Sequence, residues 1–433
     1  MRLGQRAVVL GGSVAGLFVA RVLADRFDEV VVVERDPLPD DAALRKGVPQ
    51  GRHVHSIWSP ALGYLEGLLP GLKSALLADG AVEADAGDMR WWHAGAFRVR
   101  PRVGIGLSIQ SRALFEQHVR RRVRAVPRVV VRDEVEVVGL TGTAERVAGA
   151  RVRERGAAEQ VLEADLVVDA TGRTSRGSAW VAALGATPPA ETELGVDIAY
   201  VTRQFHRRPG DLDAFRVLLV SPVGPAERRI GVLFPIEGDR WCATLAGWLG
   251  DHPPLDRQGW LEFARELPTP EFHAFVSELE PVGEISQFRF ASNLRRHWEG
   301  ARRPPERYVV VGDALCSFNP AYGQGMSVAA FETRGLGQAL DGGLDGLGRR
   351  YFRAAARVVD QAWALSAGED LRHPEVVGAR PLGAPLINAY VARLHRASHR
   401  DEGVHRAMVS VFSLESPLTT LLTPRLAWRA LVG

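Results

Sequence analysis

The residues with the clearest chemical potential lie near the start of the chain, in the turn GGSVAG, and at Glu34. Gly11 permits a tight turn, and Ser13 is small enough for the backbone to approach a pyrophosphate. Gly16 lets a helix pack closely on the preceding strand. Glu34 is placed to accept a hydrogen bond from a ribose hydroxyl. This spacing predicts a site for an adenine dinucleotide.

The elements that must position these residues are visible in the hydrophobic pattern. Residues 7–10 form a short apolar run, residues 17–27 have helical spacing, and residues 30–33 form a second apolar run. The order strand, turn, helix, strand places the helix N-terminus, with its free N–H groups, beside the phosphates. Val14 and Ala15 within the turn and Arg35 after the second strand are further candidate contacts.

A polar segment, LRKGVPQGRHVH, follows at residues 44–55. Arg45, Gln50 and His53 are candidates for polar contact with a bound cofactor, and a solvated loop is the alternative. His53 and His55 would share one side of a strand. No further ligand stands near them in sequence, so we expect no metal site.

Two later segments carry the same kind of signal. Ser111 is the expected N-cap of a helix, and Arg112 falls in its first turn. A cation there is unfavourable next to the positive end of the helix dipole, so Arg112 needs another role, such as binding a phosphate or ribose. A buried strand near residue 308 leads to Gly312-Asp313, followed by a glycine-rich loop that opens a helix near residue 326. The candidate contacts in this second segment are Asp313, Pro320, Gly323, Gln324, Gly325 and Met326.

The composition is that of a globular enzyme. The chain has 433 residues, 46% of them hydrophobic, and a net charge of +3. Acidic residues are interspersed among the arginines, so no nucleic-acid partner is expected. Two cysteines indicate a reducing compartment, and the first strand leaves no room for a signal peptide. We expect a cytoplasmic protein without a transmembrane segment. The apolar stretch at residues 414–431 would either pack over the active site or attach weakly to a membrane.

The predicted fold is α/β. Residues 1–187 and 296–340 would form a Rossmann-like nucleotide-binding domain, interrupted by a mostly antiparallel sheet at 188–295 and followed by a helical region at 341–433. The inserted sheet would supply the substrate wall. Its candidate wall residues are Phe205, Phe215, Leu233, Trp241, Phe288 and Phe290. His53 and Tyr322 are the other pocket candidates, and no protein nucleophile is evident.

The chain resembles the group A FAD-dependent monooxygenases, the para-hydroxybenzoate hydroxylase fold. The GGSVAG turn with Glu34, the Arg112 helix, and Gly312-Asp313 with the loop at 319–326 carry this resemblance. The segments LRKGVPQGRHVH, VVDATGRTSRGS, FNPAYGQGMS and IAYVTRQF most resemble bacterial flavin epoxidases acting on polyketide polyenes.

The resemblance implies FAD as cofactor. The turn at 11–16 would then hold the pyrophosphate, and Glu34 the adenosine ribose. Arg112 and Asp313 would contact the phosphate and ribityl region, and the backbone at 320–326 would lie along the isoalloxazine. Val135 matches a main-chain contact to the adenine.

One position departs from the family pattern. The aromatic hydroxylases have an Asp-Gly pair, linked to FAD and NADPH binding, where this chain has Thr171-Gly172. A neutral threonine does not replace the charge of a carboxylate. Electrons would therefore come either from NADPH or from a separate flavin reductase.

The resemblance implies oxygen transfer from a flavin C4a-hydroperoxide, formed with O2, to a double bond of a large apolar polyketide, polyene or terpenoid. Such epoxidation belongs to secondary metabolism, including antibiotic biosynthesis. Two alternatives stay open: aromatic hydroxylation by the same chemistry, and a non-redox cyclase in which FAD is structural.

Overall fold

The computed structural model describes residues 2–432. The strands are β1 (Gly4–Leu10), β2 (Phe27–Val33), β3 (Ser56–Trp58), β4 (Val82–Asp85), β5 (Met89–His93), β6 (Ala96–Phe97), β7 (Gly106–Ile109), β8 (Val129–Arg132), β9 (Val135–Gly142), β10 (Val147–Glu154), β11 (Glu159–Glu163), β12 (Leu166–Asp169), β13 (Glu191–His206), β14 (Val217–Val220), β15 (Arg229–Ile236), β16 (Arg240–Gly247), β17 (Pro281–Arg296), β18 (Tyr308–Val310) and β19 (Cys316–Ser317). The helices are α1 (Val14–Ala24), α2 (Ser59–Leu68), α3 (Leu72–Ala78), α4 (Arg112–Arg124), α5 (Gly177–Ala183), α6 (Asp211–Ala214), α7 (Arg257–Arg265), α8 (Glu271–Ser277), α9 (Gly325–Leu340), α10 (Leu347–Asp370), α11 (Ala384–Ala397), α12 (Glu402–Phe412) and α13 (Pro424–Val432).

A parallel sheet with the strand order β18-β12-β1-β2-β8 forms the nucleotide-binding part. Its central strands are apolar on both faces because helices cover both sides. Val8 and Val9 on β1 are fully buried, as are Leu17 and Phe18 on α1. The predicted strand, turn, helix and strand at the start of the chain are confirmed.

A second sheet has the order β19-β17-β13-β16-β15-β14-β5-β6 and is mostly antiparallel. Strands β5 and β6 come from residues 89–97, far before the segment 188–295 to which the sequence assigned this sheet. The α/β fold class, with a parallel sheet, an inserted antiparallel sheet and C-terminal helices, is confirmed. The exact domain boundaries stay a prediction.

The C-terminal region consists of helices α10 to α13 and a 3-10 turn at Leu418–Leu422. Leu394 on α11 and Val404 on α12 are fully buried in a small separate core. Leu418, Leu421 and Leu422 line the large cavity. This turn therefore lies at the cavity, as one of the two sequence-based alternatives expected, whereas Trp428 and Leu431 on α13 are exposed.

The apolar spacing of residues 57–77 indicates helix. The structure has strand β3 at the start of this segment, followed by two helices, α2 and α3. Pro70-Gly71 separates the helices, and Gly71 has a φ of 75°, a conformation that ends helical geometry.

No helix within residues 2–432 combines the length and the apolar character needed to span a membrane.

Candidate functional site

The GGSVAG turn joins β1 to α1 at the carboxyl edge of the parallel sheet. Gly11 has a φ of 105°, and a Cβ there would lie 2.4 Å from the Ala170 carbonyl oxygen. A Cβ on Gly16 would lie 1.9 Å from the Gly11 carbonyl oxygen. Only glycine fits at either position, so the close strand–helix packing inferred from the spacing is present.

Glu34 lies at the end of β2, beside this turn. Its carboxylate accepts hydrogen bonds from the Gly12 N–H at 2.8 Å and from the Asp36 N–H at 3.0 Å. Arg45 lies 3.6 Å from the same carboxylate. The Val135 N–H donates to the Glu34 carbonyl oxygen at 2.9 Å, which places the start of β9 at the same end of the groove.

A cluster of buried arginines lies beside Ser13. Arg112 donates to the Ser13 hydroxyl at 3.0 Å and to Glu116 at 3.2 Å. Arg45 and Arg120 also pair with Glu116, so three guanidinium groups surround this carboxylate. Arg45 also lies within 4 Å of Glu34 and Asp36, so carboxylates balance the three guanidinium groups. The guanidinium donors of Arg45 and Arg112 line the groove beside Ser13, where they suit a pyrophosphate. Ser111 caps α4 through the Leu114 N–H at 3.1 Å, so the predicted N-cap is confirmed.

Asp169 stabilises the turn at Thr171-Gly172 through hydrogen bonds. This fully buried carboxylate accepts hydrogen bonds from the Thr171 N–H at 2.9 Å and the Thr171 hydroxyl at 2.6 Å. The Ser175 and Tyr308 hydroxyls donate to its second oxygen at 2.6 and 3.0 Å. Asp169 is thus engaged within the protein, and the Thr171 hydroxyl is turned towards it.

Asp313 follows β18 and faces the interior of the cavity. Its side chain is open to the cavity but shielded from bulk solvent. This shielding raises the pKa of the Asp313 carboxyl group, and the positive charges of Arg112 and Arg173 act in the opposite direction. Below it, Glu332 on α9 accepts the Gly312 N–H at 2.6 Å. Burial raises the pKa of Glu332 to about 8, so this side chain is mainly protonated at neutral pH.

The loop between β19 and α9 forms one wall of the cavity. Pro320–Tyr322 is a 3-10 turn, and a Cβ built on Gly323 or Gly325 would meet no atom within 4 Å. A flat ring could therefore approach this backbone closely. Gln324 is 1% exposed and donates from Nε2 to the Phe412 carbonyl oxygen at 2.9 Å, so its side chain points away from the cavity.

A buried polar network that the sequence did not reveal holds this loop. Asp370, at the end of α10, is fully buried and accepts hydrogen bonds from Trp248 at 2.9 Å and Asn293 at 2.7 Å. Asn319 and Tyr322 donate to it at 3.1 and 3.2 Å. The network joins the C-terminal helices, the antiparallel sheet and the glycine-rich loop. Tyr322 is thereby a structural donor as well as a cavity residue.

One cavity of about 1810 Å³ brings most of the predicted residues together. It is larger than the roughly 300–1,000 Å³ typical of a site for one small molecule, so it has room for a cofactor and a substrate. The predicted site residues that line it are Gly11, Ser13, Val14, Ala15, Glu34, Arg35, Arg45, Gln50, His53, Arg112, Val135, Thr171, Gly172, Asp313, Pro320, Tyr322, Gly323, Gly325 and Met326.

The substrate wall required correction. Phe205 and Trp241 pack with Trp260 in a core between the sheet and helices α7 and α8, and they do not line the cavity. The same holds for Phe215 and Leu233. Because side chains alternate between the faces of a strand, each strand contributes only every second residue to the cavity. The sequence does not reveal which set that is.

The cavity face of this sheet is apolar and aromatic. Phe288 and Phe290 lie on it, β13 adds Tyr200, and Trp248 follows directly after β16. Val232, Phe234 and Leu219 continue the wall. These residues lie in separate segments of the sequence, and only the pairing of the strands shows that they share one face of the sheet.

The two histidines of the segment at 44–55 are neutral. His53 is 7% exposed and its Nδ1 lies 2.6 Å from the Thr202 hydroxyl, while burial lowers its pKa to about 3. Burial and Arg112 lower the pKa of His55 to about 4. The Nε2 of His53 has no hydrogen-bond partner among residues 2–432. In that same part of the chain, no cluster of three or more His, Cys, Asp or Glu side chains is arranged to hold a metal ion.

Comparison with known proteins identifies the class of fold. No protein-family model matches the chain. The flavin-dependent brominase Bmp2 superposes with a TM-score of 0.67 at 13% identity, over 95% of this chain and 93% of the brominase. The p-nitrophenol 4-monooxygenase PnpA from Pseudomonas putida DLL-E4 gives 0.65 at 16% identity, over 96% and 100%. The Diels-Alderase PyrE3 of pyrroindomycin biosynthesis gives 0.62 at 16%, over 94% and 80%.

The fold is that of the group A flavin-dependent monooxygenases and halogenases. A curated relative shows the family itself: protein Rv3254 of Mycobacterium tuberculosis (strain ATCC 25618 / H37Rv) is 31% identical over 385 residues, covering 85% of this chain and 80% of the relative. The chain belongs to the family of protein Rv3254.

Proposed function

We propose that this chain is an FAD-dependent monooxygenase that transfers one oxygen atom from O2 to a large apolar substrate, most specifically to a carbon–carbon double bond. The observation that supports this most is the continuity of the cavity. One continuous, partly open space of about 1810 Å³ joins the GGSVAG groove, the glycine-rich loop at 320–326 and the aromatic face of the antiparallel sheet.

The residues present fit FAD. Arg45 and Arg112 line the groove beside Ser13 and would donate hydrogen bonds to the pyrophosphate. Glu34 lines the groove at the position expected for the ribose. The open backbone at 323–325, where a Cβ would meet nothing, leaves the space that a planar ring requires.

Reduced FAD, when bound, would supply the two electrons that activate O2, so that one oxygen atom could pass to the substrate and the other leave as water. The protein must hold the substrate in place and exclude water. Phe288, Phe290 and Trp248 would form the floor, and the leucines at 418–422 would cover the cavity. This apolar enclosure suits an alkene, which needs no protein nucleophile.

Two sources of electrons stay open in this proposal. The Thr171 hydroxyl is engaged with Asp169, and no carboxylate takes the place of the family's Asp-Gly pair at that turn. This arrangement favours delivery by a separate flavin reductase over direct use of NADPH.

Two observations keep alternative reactions in view. His53 lines the cavity, and a hydrogen bond from a phenol hydroxyl to its neutral imidazole would favour aromatic hydroxylation. An enclosed aromatic cavity could also fold a polyene for a cyclisation without redox chemistry, and the likeness to a Diels-Alderase is consistent with that.

The test is a single turnover with isotopic oxygen. Protein purified with FAD would be reduced with dithionite, which removes the question of the electron donor. It would then be mixed with ¹⁸O2 and a panel of linear polyenes and polycyclic phenols. We expect a product that gains one ¹⁸O atom, from a polyene rather than a phenol. Product formed without oxygen from the oxidised protein would establish the cyclase instead, and failure to retain FAD would refute the proposal.

A further inference from the structure

A buried arginine lies behind the wall of the cavity that β5 and the C-terminal helices form. Arg98 is only 4% exposed, and its backbone N–H pairs with the Trp91 carbonyl oxygen at 2.9 Å. Its guanidinium lies 3.6 Å from the centroid of the Trp91 ring. Trp91 itself lines the cavity.

The charge of Arg98 has no acidic partner. Within residues 2–432 its side-chain contacts are the Trp91 ring and His395, with no carboxylate, and its Nε has no hydrogen-bond partner. Burial alone lowers the pKa of Arg98 to about 9. A buried cation without an opposite charge is costly, so its presence calls for an explanation.

The contact with His395 decides where a proton lies. Arg98 Nη2 lies 2.7 Å from His395 Nδ1. A guanidinium has only donors, so Nδ1 must accept, and in neutral His395 the proton must be on Nε2. His395 lines the cavity. It therefore presents an N–H donor to the cavity, with the charge of Arg98 directly behind it.

The neighbouring groups add no negative charge. His93 also lines the cavity, its ring centroid is 4.0 Å from that of His395, and its Nδ1 is unpartnered among the described residues. His399 donates from Nε2 to the His93 carbonyl oxygen at 2.8 Å. Arg372 is already paired with Glu369 at 2.9 Å. Among residues 2–432, Arg98 is thus a buried cation of this region with no carboxylate within salt-bridge distance.

We propose that His395, with the charge of Arg98 behind it, binds the carboxylate of an otherwise apolar substrate. A single carboxylate would compensate the buried charge of Arg98. The aromatic remainder of the cavity would take the hydrocarbon part. The assignment of this ligand as the substrate rests on the proposed monooxygenase function, because the same cavity contains the nucleotide groove.

The test measures binding without turnover. The oxidised protein as purified with FAD would be titrated with cis-parinaric acid and, separately, with its methyl ester, two probes whose fluorescence increases in an apolar site. We expect the acid to bind about tenfold more tightly than the ester, because only the acid forms a charge-assisted hydrogen bond. Equal affinities, or no binding of either probe, would overturn the proposal.

Variants identify the groups responsible. Arg98→Gln should reduce the preference for the acid to about onefold, and His395→Phe should do the same while retaining an aromatic ring. Arg393→Gln, at an exposed position on the same helix as His395, is the matched control and should retain the preference. If Arg98→Gln does not fold, His395→Phe still decides the question, and an acid preference that survives in it refutes the site.

The outcome is separable from that of the proposed function. Loss of FAD or absence of ¹⁸O transfer would contradict the monooxygenase proposal, but the acid preference could still be measured in the same protein. Retained oxygen transfer with no acid preference would contradict only the carboxylate site.

Discussion

The Asp370→Asn substitution should weaken the contact between the C-terminal helices and the glycine-rich loop. In the native chain, Oδ1 of Asp370 accepts hydrogen bonds from Trp248, Asn319 and Tyr322, and Oδ2 accepts one from Asn293 at 2.7 Å. An asparagine can place its oxygen at the first position only. Its NH2 group would then face the Asn293 amide nitrogen, donor against donor.

Asn293 cannot relieve this conflict by turning its amide over. Its Oδ1 already accepts the Asn319 N–H at 2.6 Å, and a flip would break that bond. The variant therefore loses one hydrogen bond to a charged acceptor and leaves buried donors unpaired, while three bonds pass from a charged to a neutral acceptor. We expect a loss of about 3 kcal/mol in the free energy of unfolding.

The measurement is equilibrium unfolding in urea, followed by tryptophan and flavin fluorescence. The matched control is Asp345→Asn, because Asp345 pairs with Arg307 at 2.8 Å but its side chain is 99% exposed, and such pairs contribute less than about 1 kcal/mol. The loop at 320–326 should also bind FAD less tightly in the Asp370 variant. A stability within 1 kcal/mol of the native chain, together with unchanged FAD affinity, would refute this account of the network.

Three further predictions follow from the packing and the titration behaviour. Gly16→Ala should lower the free energy of unfolding by roughly 1 to 3 kcal/mol and release FAD, because the new Cβ would meet a backbone oxygen. Gly63→Ala, with open space around it, should retain both the stability and the FAD, whose content is measured by absorbance. Trp241→Ala should lower the free energy of unfolding by about 3 to 5 kcal/mol without altering the affinity for the fluorescent probe. Phe288→Ala should weaken probe binding in a titration while leaving the thermal unfolding of the chain nearly unchanged. Burial lowers the pKa of His405 to about 4, so the neutral form is favoured in the folded chain. The free energy of unfolding should therefore be highest above pH 6.5 and decline as the pH falls below that value, by about 1 to 2 kcal/mol for this histidine at pH 5. His405→Leu should flatten the decline in unfolding curves measured across this pH range, and an unchanged profile would contradict the prediction.

The sequence by itself determined the local units of this protein. The turn at 11–16, Glu34 at the end of β2 and the cap at Ser111 were predictable because each depends on residues within one short segment. Gly312-Asp313 and the loop at 320–326 could be predicted for the same reason. These units are enough to indicate the class of fold and where a nucleotide would lie.

Only the tertiary structure decided which side chains reach the cavity. Phe205 and Phe288 are both apolar strand residues, but the strand pairing turns one into the core and the other towards the cavity. A one-residue difference in register exchanges the faces of a strand, and the composition of the strand does not change with it.

The polar groups of the site depend on contacts that are distant in sequence. Asp370 meets Asn319 across 51 residues, and Arg98 meets His395 across 297. Neither pair belongs to one local motif, and in the sequence Asp370 and Arg98 are indistinguishable from ordinary charged residues on the surface. They gain their chemical meaning from burial, because a charge removed from water must find a partner in the fold or in a ligand.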